Sequence, residues 1–433
     1  MPGMILTCLI SITAAILCIF NAPREFLIAV SVLFVFCNIF PSLTKKATKK
    51  ISRLYNGLCL LKCFIIVLLT DIFLLLASIP VFVNHRDNLI YFITIAFFSN
   101  LIIFWNGIIR TYLTSRQLGI RWRVLGIICG PLPFLNLIML AIIIAVVSRE
   151  VRFEEDKARL NERRAENEIC KTRYPILLVH GVFFRDYNFF NYWGRIPEEL
   201  EKNGATLFYG NQESALKVED NGKIIAARIK EIIEETGAPK INIIAHSKGG
   251  LDTRYALNCG DAGQYVASLT TINSPHRGCR FADHLIGKSP ALLKKIISKA
   301  YNSTLKRLGD QNPDFLSAVT DLTAARCKIL NENCPDVPGI FYQSYGSYAN
   351  HSISGRFPLN LSFLIVRFFE DKNDGLVSVD SMKWGERFTL IEPKGIRGIT
   401  HGDVVDLNRE NVSTFDVREM YVNIVKDLKE KGF

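Results

Sequence analysis

The sequence predicts two parts of different fold class, an all-α transmembrane region over residues 1–148 and an α/β domain over residues 174–433. Three observations lead to this prediction. The first third of the chain contains five apolar stretches that are long enough to cross a hydrocarbon core of ~30 Å. From residue 174 onwards, short apolar strands alternate with amphipathic helices, which is typical of a doubly wound, mostly parallel sheet. One of these strands ends in AHSKGG and turns directly into a helix, as a nucleophile elbow does.

The apolar stretches predict five membrane spans, because a helix needs about 20 residues to cross a bilayer. Residues 1–148 hold 12 Lys/Arg and 3 Asp/Glu, so this region carries nine of the net charge of +11. These charges flank the apolar stretches, and we therefore interpret them as membrane-flanking residues rather than as a nucleic-acid surface. The predicted spans cover about residues 4–21, 26–43, 63–83, 89–109 and 124–147.

Basic residues in the short loops predict the orientation of the spans. They concentrate at 45–53 and 110–123, so we expect these two loops on the cytoplasmic side. An odd number of spans then places the N-terminus in the cytoplasm and the chain after residue 148 on the extracytoplasmic side. Residues 149–173 are dense in mixed charge and in helix formers, which predicts a solvated helical linker.

The α/β domain follows from its alternating elements. A helix is predicted after most strands, and the chain closes with a helix over FDVREMYVNIVKDL. Residues 285–335 break the alternation with mostly helical runs, which predicts a helical insertion where a lid would lie. The predicted strands are YPILLVHG (174–181), ATLFYG (205–210), KINIIAH (240–246), VASLTTINS (266–274), GIFYQSYGS (339–347) and RFTLI (387–391).

Ser247 is the candidate nucleophile, since it follows the strand KINIIAH and precedes a helix. In an open α/β sheet, the chemistry gathers at the carboxyl ends of the strands. A small-x-Ser-x-Gly turn holds the serine Oγ above the sheet, and Ala245 and Gly249 keep the strand and the helix close together. A tight turn without catalytic meaning is the alternative for this pattern alone.

A serine nucleophile needs a histidine base and an orienting carboxylate, and in hydrolases of this type the chain order is Ser, acid, His. His401 lies on the loop between RFTLI and the final helix, which is the expected place for the base. Asp374 is the preferred acid because it precedes a glycine and an apolar pair that re-enters the fold, and Asp371 is the alternative. The other candidates are the bases His276, His284 and His351 and the acid Glu370.

Two backbone N–H groups are expected to bind the developing oxyanion, those of Val182 and Lys248. Val182 follows the strand that ends in VHG, and Lys248 follows the serine. The neighbouring histidines His180 and His246 are predicted to hydrogen-bond within their loops, and His276 is predicted to be structural. Aromatic residues after Val182 could line an acyl pocket or pack in the core; they are Phe183, Phe184, Phe189, Phe190 and Tyr192.

Several motifs in one order carry a family resemblance: PILLVHG, YWGRIPEELEKNGA, AHSKGG, INSPHRGCRFAD, NDGLV and HGDVVD. With them, residues 174–284 and 366–406 resemble the bacterial secreted lipases of the α/β-hydrolase fold. The resemblance implies a triad of Ser247, Asp374 and His401. Many of those lipases bind a structural calcium through two aspartates, and Asp403 stands at the place of one. The other has no confident match here, so a structural calcium stays an alternative and no other cofactor is predicted.

These observations predict a membrane-anchored serine hydrolase that cleaves carboxylic esters, with lipids as the favoured substrates because the spans hold the domain near a bilayer. An acyltransferase that uses the same triad is one alternative. A membrane receptor or transporter with a non-catalytic hydrolase domain is another, against which the intact nucleophile, acid and base argue. Neither a nucleic-acid partner nor an oligomeric state is predicted.

Overall fold

A computed structural model describes residues 2–20, 23–41, 46–182, 192–307, 313–355, 359–370, 372–392 and 394–433. The chain divides into two compact units, Met1–Arg163 (unit 1) and Arg164–Phe433 (unit 2). This division falls inside the stretch 149–173 that the sequence assigns to a linker. The domain limits at residues 148 and 174 stay predictions.

Unit 1 is helical throughout its regular structure. Two of its helices, Lys49–Ala77 and Arg86–Thr114, are long and apolar enough to cross a membrane, and shorter apolar stretches lie at Leu6–Leu17 and Ile28–Ile39. The number of spans therefore stays a prediction. The helices are α1 (Pro2–Ile19), α2 (Arg24–Ile39), α3 (Lys49–Ala77), α4 (Ile79–Asn84), α5 (Arg86–Thr114), α6 (Gly119–Cys129) and α7 (Leu135–Arg164).

The predicted fifth span, 124–147, is wrong as a single helix. α6 ends at Cys129 and α7 begins only at Leu135. Pro131 and Pro133 lie in the gap, and a proline lacks the N–H that would continue a helix. With 11 residues, α6 is roughly 16 Å long, about half the thickness of a hydrocarbon core.

The limits of the predicted third span also differ from the structure. α3 begins at Lys49, well before residue 63, and ends at Ala77. The rest of the predicted span belongs to the short α4, which has a proline in its first turn. Proline is favoured there because the first N–H groups of a helix have no partner within it.

The predicted helical linker, residues 149–173, is helical only in its first part, and it is not wholly solvated. α7 continues without a break to Arg164. Glu150 on this helix is buried and accepts hydrogen bonds from Ser115 Oγ (2.5 Å) and from the Arg116 backbone N–H (2.8 Å). The Glu150 carboxylate thereby ties α7 to the turn between α5 and α6.

Unit 2 contains a six-stranded, fully parallel sheet in the order β2-β1-β3-β4-β5-β6. Each of the six predicted strands is present, and the predicted α/β-hydrolase fold class is confirmed. Three of the four interior strands, β1, β3 and β4, are buried along their whole length, as strands covered on both faces must be. The strands are β1 (Ile176–Val179), β2 (Leu207–Tyr209), β3 (Ile241–His246), β4 (Val266–Ile272), β5 (Phe341–Ser347) and β6 (Arg387–Ile391).

Helices cover both faces of this sheet. Ile176 and Leu178 pack with residues of α8 and α17 in one core, whereas Leu177 and Val179 pack with residues of α9 and α10 in another. Successive residues of a strand point to opposite faces, so one apolar run supplies both cores. The helices are α8 (Ile196–Lys202), α9 (Val218–Thr236), α10 (Lys248–Leu257), α11 (Arg280–Lys288), α12 (Ala291–Arg307), α13 (Phe315–Thr320), α14 (Ala324–Asn333), α15 (Leu359–Phe369), α16 (Val379–Met382) and α17 (Val417–Glu430).

The helical insertion predicted over residues 285–335 is present between β4 and β5. It begins slightly earlier than predicted, with α11 at Arg280, and continues through α14. A further helix, α15, lies between β5 and β6 and was not predicted. Its sequence LNLSFLIVRFF is rich in residues with high strand propensity, which obscures a helix in a pattern-based prediction.

Candidate active site

The strand β3 and the helix α10 hold Ser247 on a sharp turn. β3 ends at His246 and α10 begins at Lys248, so Ser247 alone makes the change of direction. It does so with φ 56° and ψ −130°, a conformation that a non-glycine residue rarely adopts. Such strain persists only where the surrounding structure enforces it, and it is characteristic of a nucleophile elbow.

Small residues allow this turn to lie against the loop that follows β1. A Cβ atom on Gly249 would lie 2.8 Å from the Val179 carbonyl oxygen, and one on Gly181 would lie 2.8 Å from Ser247 Cβ. Both distances are too short for a side chain. The glycines therefore let the elbow and the loop after β1 approach each other.

The structure brings together the three residues that the sequence selects as nucleophile, base and acid. His401 Nε2 lies 2.9 Å from Ser247 Oγ, and His401 Nδ1 lies 2.6 Å from Asp374 Oδ2. The backbone joins the same two loops, since the His401 N–H donates to the Asp374 carbonyl oxygen at 2.9 Å. Oγ, imidazole and carboxylate thus form one continuous hydrogen-bonded chain.

Asp374 is completely buried, and donors surround its carboxylate. Oδ1 accepts from the backbone N–H groups of Leu376 and Val377, each at 2.9 Å, while Oδ2 accepts from Asn273 Nδ2 at 2.6 Å in addition to His401. A buried carboxylate with this many donors is held in one orientation. Asp374 therefore fixes both the position and the tautomer of the imidazole.

Sequence reasoning missed Asn273. It follows β4 directly, has a positive φ of 48°, and also donates to Ser347 Oγ at 2.8 Å. Its place at the carboxyl end of a central strand is the signal that could have identified it. Of the other acid candidates, Glu370 lies 3.7 Å from Arg280 Nε, and Asp371 lies outside the described residues.

His246 lies beside the base without joining the chain. Its ring centroid is 4.6 Å from that of His401, and its Nδ1 is 2.6 Å from the Tyr192 hydroxyl. Burial, and next the nearby charge of His401, lower the pKa of His246 well below its ordinary value. His246 therefore stays neutral and adds no competing positive charge next to His401. Its bond to Tyr192 agrees with the predicted hydrogen-bonding role.

The other histidines have structural contacts. His180 bonds to the carbonyl oxygens of Gly181 (2.8 Å) and Gln212 (3.0 Å). His276 lies 2.9 Å from Thr271 Oγ1 and stacks on Trp384 at 5.2 Å. Among the described residues, the alternative bases His276, His284 and His351 form no hydrogen bond with Ser247.

The predicted oxyanion donors belong to the two segments that approach each other at the elbow. Val182 is buried on the loop after β1, and Lys248 opens α10. Within the described part of the chain, neither backbone N–H has a backbone acceptor. Phe183, Phe184, Phe189 and Phe190, the acyl-pocket candidates, lie outside the described residues, whereas Tyr192 is buried against His246.

The Lys248 side chain is held within the domain by an ion pair. Lys248 Nζ lies 2.5 Å from Asp252 Oδ1, both side chains are almost completely buried, and Asn221 Nδ2 donates to Asp252 Oδ2 at 3.1 Å. Burial raises the pKa of Asp252 to about 6, although the Lys248 ammonium opposes that rise. A carboxyl with a raised pKa favours the folded state at low pH, and this contribution is lost as the pH rises through about 6.

Lys248→Met is expected to lower the free energy of unfolding by about 3–5 kcal/mol at pH 8, because Asp252 is then ionised and buried without its cation. At pH 5 the loss is expected to be smaller, since a protonated Asp252 needs no cation. Denaturant unfolding of the full chain in detergent at both pH values measures the difference. The control is Lys202→Met, which removes a surface pair with Glu198 and is expected to cost less than about 0.5 kcal/mol. Equal losses at the two pH values would contradict this account.

Asp403, the candidate calcium ligand, is already surrounded by donors. Its Oδ2 accepts from the Thr400 backbone N–H (2.8 Å) and hydroxyl (2.7 Å), and its Oδ1 accepts from Arg397 Nη2 (3.0 Å). Arg397 also pairs with Glu410 at 3.0 Å. Calcium requires six to eight oxygen ligands, whereas here a guanidinium supplies the positive charge. These residues therefore do not fit a calcium ion.

The fold defines the class of protein: the chain has the α/β-hydrolase fold, and its sequence is similar to triacylglycerol lipases. Its sequence is 36% identical to a triacylglycerol lipase of Pseudarthrobacter phenanthrenivorans over 177 residues, which are 38% of this chain and 54% of the relative. It is 35% identical to a triacylglycerol lipase of Burkholderia plantarii over 184 residues, 40% of this chain and 51% of the relative. The chain thus spans about half the length of these two lipases.

A triacylglycerol lipase of Pseudomonas fragi is 28% identical over 293 residues, which cover 60% of this chain and 98% of that relative. Among solved structures, a lipase of Bacillus licheniformis in its mature form matches with a TM-score of 0.44 and 23% identity, over 58% of this chain and 91% of that one. No protein-family model matches the sequence.

Proposed function

We propose that this protein hydrolyses carboxylic esters, with Ser247 as nucleophile, His401 as general base and acid, and Asp374 as the orienting carboxylate. The observation that carries the proposal is the hydrogen-bonded chain from Ser247 Oγ through His401 to Asp374, on a strained turn at the carboxyl end of β3. Each residue has the geometry that its role requires.

In the acylation step, Ser247 Oγ attacks the ester carbonyl carbon while His401 Nε2 takes its proton. The imidazolium that forms is stabilised by the Asp374 carboxylate at 2.6 Å. Negative charge develops on the carbonyl oxygen, where the backbone N–H groups of Val182 and Lys248 would stabilise it. Collapse of the tetrahedral intermediate expels the alcohol, which receives its proton from His401.

In the deacylation step, His401 takes a proton from water, and the resulting hydroxide attacks the acyl carbon. The carboxylic acid leaves and the proton returns to Ser247 Oγ. The neutral state of His246 matters in both steps, because a second cation beside His401 would make protonation of the base unfavourable.

Lipid esters are the proposed substrates. Support comes from the relatives described as triacylglycerol lipases and from the two apolar helices of unit 1, which would keep the site close to a bilayer. The purified full chain, given a panel of glycerolipid and short-chain esters, should release free carboxylic acid. Failure to hydrolyse any ester, together with no labelling of Ser247 by a fluorophosphonate, would leave the non-catalytic receptor as the better account.

An acyltransferase is the second candidate, because the same acyl-serine can be attacked by an alcohol instead of water. A relative of Cyberlindnera fabianii described as a probable alcohol acetyltransferase is 26% identical over 171 residues, and this similarity is the observation in favour. Product analysis with and without an added alcohol separates the two. Transferred acyl in excess over free acid would establish the transferase.

We propose that the enzyme works without calcium, since Arg397 occupies the place of a cation beside Asp403. A calcium chelator is then expected to leave both the ester hydrolysis rate and the melting temperature unchanged to within about 1 °C. Calcium at a free concentration 100 times its dissociation constant would add about 2.7 kcal/mol to the free energy of unfolding. Its removal would then lower the melting temperature by roughly 5–10 °C. A shift of that size would contradict the proposal.

We further propose that unit 1 anchors the enzyme in a membrane, with the N-terminus in the cytoplasm and unit 2 on the extracytoplasmic side. The basic loops at 45–53 and 110–123 support this orientation. It requires the broken stretch 124–147 to cross as a discontinuous helix, which membrane proteins tolerate where the break is shielded from lipid. Protease added to intact cells is expected to cleave after residue 148. Complete protection would place unit 2 in the cytoplasm. The stretch 124–147 would then enter the membrane from the cytoplasmic side and leave it on the same side.

A further inference from the structure

Unit 1 contains a large apolar cavity that the ester-hydrolysis mechanism does not use. Its volume is about 940 Å³, and its walls come from α3, α5, α6, α7 and the turn between α6 and α7. This volume is at the upper end of the range of about 300–1,000 Å³ that is usual for ligand sites. The cavity is partly open, because several of its lining side chains, such as Leu113 and Ile127, are largely exposed.

Two polar side chains at the wall of this cavity are buried and incompletely satisfied. Asp71 is 5% exposed and Asn100 is 8% exposed. Asn100 Nδ2 donates to Asp71 Oδ2 at 2.7 Å and to the Ala96 carbonyl oxygen at 2.8 Å. The remaining oxygens, Asp71 Oδ1 and Asn100 Oδ1, have no hydrogen-bond partner among the described residues. Other described residues also have buried polar atoms without a partner, but these two belong to hydrogen-bonded neighbours at the wall of one apolar cavity.

The chemistry of the lining restricts what could satisfy these atoms. The Asn100 amide oxygen is an acceptor, and so is each oxygen of an ionised Asp71, so the missing partner of an ionised Asp71 and of Asn100 is a donor. The described lining contains no lysine, arginine or histidine, and most of its residues are aliphatic or aromatic. A carboxylate or phosphate head would meet the Asp71 carboxylate without a compensating cation, which is unfavourable in a low dielectric. A hydroxyl would instead donate its one hydrogen to either of these oxygens, and a primary ammonium, with three hydrogens, would donate to both.

We propose that this cavity binds a long-chain amphiphile whose head donates hydrogen bonds, with the head at Asp71 and Asn100 and the alkyl chain along the apolar walls. The proposed ligands have one alkyl chain, saturated or unsaturated, and a head group that is either a hydroxyl or an ammonium. The site lies wholly within unit 1 and does not depend on the proposed ester hydrolysis.

Photocrosslinking of the full chain in lipid nanodiscs tests the proposal. The protein carries Ser247→Ala, so that no ester turnover can produce or consume a ligand. The probe is octadecan-1-ol with a diazirine and an alkyne on its chain, and the readout is the labelling of peptides within residues 64–143. The competitors have the same chain length: octadecan-1-ol, octadecylamine, octadecyl methyl ether and octadecanoic acid.

We expect the alcohol and the amine to compete at concentrations about tenfold lower than the methyl ether, which lacks a donor, and the acid to compete no better than the ether. The ranking of alcohol against amine identifies the head group, and either order supports the proposal. Equal competition by alcohol and ether would overturn it, because the cavity would then hold bulk lipid chains without recognising a head.

Variants give an independent test. Asp71→Leu and Asn100→Leu are each expected to reduce labelling about tenfold. The matched control is Thr70→Val, next to Asp71 on α3, because the Thr70 hydroxyl donates only to the Ile66 carbonyl oxygen of its own helix and does not line the cavity. Unchanged labelling in both leucine variants would overturn the proposal. If neither leucine variant assembles, the competitor series in the protein with an intact cavity decides alone.

Discussion

Ser247→Ala is expected to lower kcat for ester hydrolysis by about 10⁴-fold or more and to abolish labelling by a fluorophosphonate. The substitution removes the atom that the base activates in the acylation step, since Ser247 Oγ lies 2.9 Å from His401 Nε2. When a nucleophile is removed, only the rate enhancement from binding and from the oxyanion donors remains. Steady-state hydrolysis of a soluble ester by the purified full chain measures the change.

The loss must be separated from damage to the fold. The strained φ of 56° at residue 247 remains in the alanine variant, so its melting temperature should lie within a few degrees of the unmodified protein. Ser289→Ala, in the helical insertion, serves as the control serine and is expected to keep full activity. A Ser247→Ala protein that is folded and still hydrolyses esters at more than a few per cent of the original rate would refute the nucleophile assignment.

Asp374→Asn is expected to lower kcat by about 10³–10⁴-fold while the domain stays folded. The Asp374 Oδ1 position faces two backbone N–H donors, so the amide oxygen of an asparagine would take that place. Its NH₂ group would then face His401 Nδ1 at the position of Oδ2. That contact requires Nδ1 to accept, which puts the imidazole proton on Nε2, where it cannot take the proton of Ser247.

The neighbouring carboxylates give the matched controls for this prediction. Glu370→Gln and Asp371→Asn lie within four residues of Asp374, and both are expected to keep near-normal activity. If Asp371→Asn lost activity and Asp374→Asn did not, the acid would be Asp371, the alternative that the sequence leaves open.

Much of the site could be predicted from the sequence because its signals are local. The strand β3, the small residues at 245 and 249 and the following helix lie within a few residues of Ser247, and short-range sterics alone specify a sharp turn there. The order of strands and helices predicted a parallel sheet, and the rule that parallel strands end at one edge then brought Asp374 and His401 towards Ser247. All six strands were predicted because short apolar runs are likewise a local signal.

Two predictions failed because they rested on the average composition of a stretch, whereas one or two individual residues in that stretch decided its structure. The stretch 124–147 is apolar enough for a span, yet Pro131 and Pro133 interrupt its helix. Glu150 lies in a stretch whose composition indicates solvent exposure. Its side chain is nevertheless buried, and it accepts hydrogen bonds from Ser115 and Arg116. Average composition over a window does not contain such information.

The sequence by itself determined the fold class, the elbow and the identity of the residues at the ends of the strands, because hydrophobic period and turn chemistry are properties of neighbouring residues. Only the tertiary structure decided which distant groups meet. It brought four pairs of side chains into hydrogen-bonding or ion-pair contact. These pairs are Asn273 with Asp374, Asp252 with Lys248, Arg397 with Asp403, and Asp71 with Asn100 at the wall of a cavity. Hydrogen bonds and ion pairs need atoms within about 3 Å, and packing between elements sets such distances with a precision that a linear pattern of residues does not carry.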